Sequence, residues 1–160
     1  DQIAVFGVIH ERRELVRQVM LDADSFGAAL LPGSAAKVVS RRGPLTTFEW
    51  NIDLPLIGVA GRMQVRDADP LISVDAVQGA LAGGRWNFET RALTKDATLL
   101  ASWASFDVRN STWLVRALAD ADPYLGHGIG AASEIMLERA LRTETTERAE
   151  KIAADARKKK

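Results

Sequence analysis

Through most of the stretch from Leu45 to Val108 the apolar residues recur at every second position, in runs of about ten broken by short polar turns. Phe48, Trp50, Ile52 and Leu54 alternate with Thr47, Glu49, Asn51 and Asp53. Trp86, Phe88 and Thr90 alternate with Arg85, Asn87, Glu89 and Arg91. A period of two is what a strand with one dry and one wet face requires. Arg42-Gly43-Pro44, Asp67-Ala68-Asp69-Pro70, Ala82-Gly83-Gly84 and Thr94-Lys95-Asp96-Ala97 supply the turns. Strands joined this tightly pair antiparallel. The expected meander is Ala36 to Arg41, Leu45 to Leu54, Ile57 to Arg66, Leu71 to Leu81, Arg85 to Leu93 and Thr98 to Val108.

Different periods flank that run. Gln2 to Ile9 reads as a strand apolar on both faces. His10 to Leu21 switches to helical spacing, with Leu15, Val16, Val19 and Met20 on one stripe and Glu11, Arg12, Arg13, Arg17 and Gln18 facing away. Asp22 or Asp24 caps a second short helix through Leu31, which Pro32-Gly33 stops. Beyond Asn110, Trp113 to Ala119 reads as a helix capped by Ser111 or Thr112. Ile129 to about Ala149 then forms one long helix. Its expected apolar side is Ala132, Ile135, Met136 and Ala140, flanked by Leu137 and Leu141; its wet side is Glu134, Glu138, Arg142, Glu144 and Arg148. The expected organisation is a single domain over residues 1–150, followed at 151–160 by a charged tail or frayed helix end.

Composition removes several function classes. With 160 residues there is room for one substantial core. Lysine plus arginine equal aspartate plus glutamate at 21 each, so no global field favours nucleic acid. The absence of cysteine excludes disulfides, thiolate zinc sites and cysteine nucleophiles. No apolar run is long enough to cross a bilayer. The chain opens at Asp1 with no basic segment followed by an apolar one, so no signal peptide is read. The expectation is a soluble protein of cytoplasm or periplasm, a leader having been removed in the second case.

Catalytic signatures are scarce. His10 and His127 have no metal-ligand spacing, and no metal is expected. No serine stands in a Gly-x-Ser-x-Gly elbow. The glycines of Gly126-x-Gly128-x-Gly130 follow no strand of a βαβ unit, so no nucleotide cofactor is read there. No catalytic residue and no cofactor are assigned. Arg62, Arg85 and Arg91 are placed on the convex face, while an arginine turned inward would anchor an acidic head group. Asp75 and Asp107 sit in apolar strands, where a buried carboxylate needs a partner.

The order of strand, two helices, about six strands and one long helix resembles the START-like (SRPBCC) helix-grip superfamily. The resemblance runs from Ile3 to about Ala149, through the helix start Glu11-Arg12-Arg13-Glu14-Leu15-Val16 and the segment Trp103 to Asn110 leading into the terminal helix. That superfamily includes lipid-transfer domains, coenzyme-Q-binding proteins, polyketide cyclases and aromatases, and the birch-pollen-allergen type. The aromatic-proline signature usual after the first helices is missing, since the region reads Phe26-Gly27-Ala28-Ala29-Leu30-Leu31-Pro32, and no subfamily is assigned. The resemblance implies an α+β helix-grip fold: a curved antiparallel sheet of about seven strands wrapped around a long C-terminal helix, with two short helices after the first strand.

A strongly twisted sheet cannot lie flat on one helix. The space left between them holds side chains or a ligand. Candidate ligand-binding residues are Trp50, Ile52, Met63, Trp86, Phe88, Trp103, Phe106, Tyr124, Ala132 and Met136, with small residues such as Gly61 and Ala76 beside them leaving room. Taken singly, the same residues read first as plain core, and it is the resemblance that favours their lining a cavity as a group. Leu54-Pro55-Leu56-Ile57-Gly58 is apolar where a turn is normally polar, so Leu56 and Ile57 are candidates for transient membrane contact, or for cover by the last helix. Asp122 to Gly130 is a candidate gate that Tyr124 and Leu125 would plug; alternatively its glycines let the helix start close to the sheet. Three readings follow in order: a binding or transfer protein for a lipid, sterol, quinone or similar apolar molecule; a cyclase or aromatase-type enzyme, which needs a polar group deep in the pocket; and a protein-interaction module.

Overall fold

The structure, a computed structural model, describes residues 3–22, 34–54, 57–122 and 124–158. The strands are β1 (Ile3–Ile9), β2 (Ser34–Arg42), β3 (Leu45–Leu54), β4 (Ile57–Ala68), β5 (Leu71–Gly79), β6 (Arg85–Thr94) and β7 (Ala97–Ser105). The helices are α1 (Arg13–Leu21), α2 (Trp113–Ala121) and α3 (Leu125–Lys158). The second short helix expected before Leu31 lies outside the described residues, as do Leu56 and the side chain of Ile57.

All seven strands form one antiparallel sheet in the order β1-β7-β6-β5-β4-β3-β2. The meander from β2 to β7 follows from its short turns, and β1 then joins the far edge by pairing with β7, Gly7 opposite Leu100. Period two sets the faces. Along β7, Thr98, Leu100, Ser102 and Ala104 are buried on the concave side, while Leu99, Ala101 and Trp103 lie half-buried on the other. A register shift between Arg62 and Met63 bends β4 against β5 and adds to the curvature.

Strand ends shift from expectation for local reasons. β5 stops at Gly79, whose φ of +83° leaves the extended region. β7 stops at Ser105, because the Asp107 carboxylate accepts a hydrogen bond from the Arg109 N–H at 2.9 Å and caps a 3-10 turn at Val108–Asn110. Of the two candidate caps of α2, Thr112 is the one used, its hydroxyl oxygen accepting from the Val115 N–H.

Arg17 was expected to face solvent and does not. It is 9% exposed, and its fork reaches Asp67, the Pro70 carbonyl at 3.0 Å and the Thr90 hydroxyl at 3.3 Å. Its apolar stem lies in the α1 stripe while the planar head satisfies the β4–β5 turn. Arg13 pairs with Asp69 beside it and donates to the Thr90 carbonyl at 2.9 Å.

Helix α3 also departs from expectation. It begins four residues earlier than Ile129 and runs 34 residues to Lys158, about 50 Å at 1.5 Å per residue. Its buried positions are Gly130, Glu134, Ala140, Leu141 and Thr145, whereas Ile135 is 57% exposed. The helix is therefore turned so that Glu134, expected on the wet side, faces the sheet. The docking surface explains this. Helix α3 packs on β1, β7 and α1, where Gly7 leaves room on the strand and the Glu138 carboxylate fills it; a Cβ at Gly7 would overlap that group. A nearly straight helix cannot follow a curved sheet across all its strands, so the concave side of β3 to β6 is left partly uncovered.

Candidate functional site

That uncovered concavity is a cavity of about 230 Å³. Phe48, Trp50 and Ile52 of β3, Met63 of β4, and Trp86 and Phe88 of β6 form its sheet wall. Met20 of α1 and Ser133, Met136 and Leu137 of α3 close it from above. Alternation puts these strand residues on one face, and the helix contributes them at adjacent and i, i+3 positions. Leu81 completes one end. It is held in the left-handed region at φ 63°, with its N–H donating to the Asn110 carbonyl at 3.0 Å. Gly61 opposite Trp50 has no side chain to spare room for: a Cβ there would stand 2.6 Å from the Gln78 carbonyl oxygen and 3.0 Å from the Trp50 Nε1.

The lining residues are apolar apart from Ser34, Asn51 and Ser133, with Trp50 contributing its indole. The indole Nε1 is buried and has no hydrogen-bond partner among the described residues. A volume of this size corresponds to roughly eight water-sized units at ~30 Å³ each, room for a ligand of about two small rings.

No family profile and no curated protein matches the sequence. Solved structures do match over nearly the whole chain. The Thermus thermophilus protein TTHA0849 superposes with a TM-score of 0.76 at 12% identity, covering 92% of this chain and 99% of that one. A START superfamily protein from Mycobacterium smegmatis gives 0.72 at 15% identity, covering 91% and 97%. The Zhui aromatase/cyclase from a Streptomyces species gives 0.69 at 11% identity, covering 93% and 95%. The fold is the START-like helix grip. At these identities the likeness speaks for the architecture alone.

Within the helix grip, six of the ten candidate residues line one cavity: Trp50, Ile52, Met63, Trp86, Phe88 and Met136. Phe106 stands next to it, stacked on Trp86 with ring centroids 5.2 Å apart, and lines a second, more open cleft of about 440 Å³ with Ala104, Asp107, Arg109 and His127. The structure places the other three away from the cavity. Trp103 is on the convex face, Tyr124 is 80% exposed before α3, and Ala132 is exposed on the helix. Gly126, Gly128 and Gly130 lie inside the first turns of α3, in the segment read as a gate. The second cleft is polar and its charges are already engaged, Arg109 with Asp120 at 2.9 Å and with Asp107 at 3.8 Å.

The arginines expected on the convex side all meet carboxylates. Arg62 pairs with Glu49 at 2.6 Å, Arg85 with Asp75 at 2.5 Å and Arg91 with Glu89 at 2.6 Å. Among the described residues there is no cluster of three or more His, Asp or Glu able to hold a metal ion. No helix of the described residues is long and apolar enough to cross a membrane.

The polar group that sequence reading missed is Glu134. It is 0% exposed, and neither carboxyl oxygen makes a hydrogen bond of sound geometry among the described residues. Burial pushes its carboxyl above the ordinary carboxylate range, and the nearby Ser102 hydroxyl draws it partly back. The feature associated with it in the structure is Gly7, whose space the next acid of the stripe, Glu138, occupies. A glycine on the concave face of an edge strand makes space for the polar stripe of α3 to turn inward.

Proposed function

We propose that this chain binds a small apolar molecule between β3–β6 and α3 and passes it on. The observation that carries the reading is the cavity itself: about 230 Å³ that the surrounding Phe, Trp, Met and Leu side chains leave unfilled. The ligand is a lipid fragment, a quinone ring or a similar compact hydrocarbon-rich molecule rather than a long chain. A cyclase-type reaction would need an acid or base in the lining. As it stands the lining has hydroxyls, an amide and an indole, which ranks the carrier reading first.

Native mass spectrometry of freshly purified protein, followed by organic extraction, tests it. A co-purifying small molecule is expected. Val74→Phe, which adds a ring from the concave face of β5, should abolish ligand retention with the fold intact by circular dichroism. A clean ligand-free mass together with no uptake of added aromatic hydrocarbon would overturn the reading.

A further inference from the structure

Two features flank the cavity and neither is explained by the fold. One is the buried Trp50 N–H, which can only donate. The other is Glu134, a flexible acid sealed inside the protein with no partner of sound geometry among the described residues. An unpaired buried polar group costs more than the fold normally tolerates, and such a group usually serves a ligand, a water or a reaction.

Glu134 lies just behind the cavity wall: it is not itself a lining residue, but its neighbours on the helix and on the sheet are. On α3 it lies between Ser133 and Leu137, which both line the cavity, and Leu137 is its i+3 neighbour on the helix surface. On the sheet side it meets Ser102, whose cross-strand partner Phe88 also lines the cavity. The side chain has three torsions, and turning it toward Leu137 would give up at most its contact with the Ser102 hydroxyl.

We infer that Glu134 is the polar anchor of this cavity, turning inward to hydrogen-bond a single oxygen function, carbonyl or hydroxyl, on an otherwise apolar ligand. The inference rests on the cavity being the binding site. It narrows the ligand class from hydrocarbon to a compact ketone, quinone, phenol or alcohol. A carboxylic acid suits both forms, since it donates to a carbonyl and accepts from a hydroxyl. No cationic ligand is required, and the cavity lining contains no arginine or lysine that would draw an anionic one.

The test uses indane and 1-indanone, which share shape and differ by one carbonyl oxygen, titrated by calorimetry into wild-type protein and into Glu134→Leu and Glu134→Gln. The ratio of the indane to the indanone dissociation constant should fall about tenfold in the leucine variant and stay near wild type in the glutamine variant. Glu134→Met, closer in length, carries the same comparison if the leucine variant fails to fold. A ratio unchanged by leucine or methionine, with indane still binding, overturns the anchor and leaves the carrier reading standing. Failure of both probes to bind any of the proteins overturns both.

Discussion

At the scale of single residues, Glu134 makes the pH dependence of this protein unusual. A free glutamate titrates near ~4.3, and burial raises the folded value above that. Folding therefore binds a proton at pH values between the two. Stability from this group is full below the unfolded value and is lost as pH rises through the folded one. The effect is read as a difference between two proteins that share every other group. Glu134→Gln is expected to be more stable than wild type by about 1–2 kcal/mol at pH 8, with the gap closing below pH ~4 in urea denaturation series. The charged group on the next turn of α3, Glu138, is itself paired with Arg142 at 2.6 Å and is common to both proteins. Glu134 was not legible in the sequence for a specific reason. Glu134, Glu138 and Arg142 fall at i, i+4 and i+8, the spacing of an exposed ion-pair stripe, and the first half of α3 is so rich in glycine and alanine that its apolar side is weakly marked. Trp50, Trp86 and Phe88 were legible, because alternation along a strand leaves only two faces to choose from and polar neighbours mark the wet one.

At the scale of elements, α1 and the β4–β5 turn are held together through arginine. Arg17 is shared by Asp67, Asp69, the Pro70 carbonyl and Thr90, and it joins a helix to two strands. The carboxylates are partly exposed, so their ionic share is screened, while the two hydrogen bonds to the turn and to Thr90 are sheltered. Arg17→Ala is expected to cost about 2 kcal/mol in chemical denaturation, and Arg17→Lys to recover less than half of it, since an ammonium cannot span the fork. The elements themselves were largely readable: β3 has the expected bounds, β5 and β7 end early at a glycine and a cap, and the other strands differ by one or two residues at an end. What periodicity could not supply is the rotation of α3. That depends on a vacancy at Gly7, more than a hundred residues away in sequence, and on the small buried Ser102 and Ala104 beside it.

For the whole molecule, the described chain divides into a packed body and a projecting end. From Glu150 to Lys158 every residue of α3 is exposed, while Thr145 and Leu141, one and two turns earlier, are buried. We expect removal of residues 150–160 to change unfolding free energy by less than about 0.5 kcal/mol, measured by thermal and urea melts of the shortened chain. A larger loss would mean that the projecting turns belong to the folded unit.

The pairing of β1 with β7 has a consequence for how such a chain comes into being. Ile3 meets Ala104, so the opening strand has no neighbour until about a hundred further residues have been synthesised. At ribosomal speeds that wait is roughly 5–20 s, during which an apolar edge is without its mate. The contact is costly to form early in loop entropy and cheap to form late. Completion of the sheet and arrival of the helix that roofs the cavity thus follow closely on one another, and a guest molecule present at that moment would be enclosed as the helix docks.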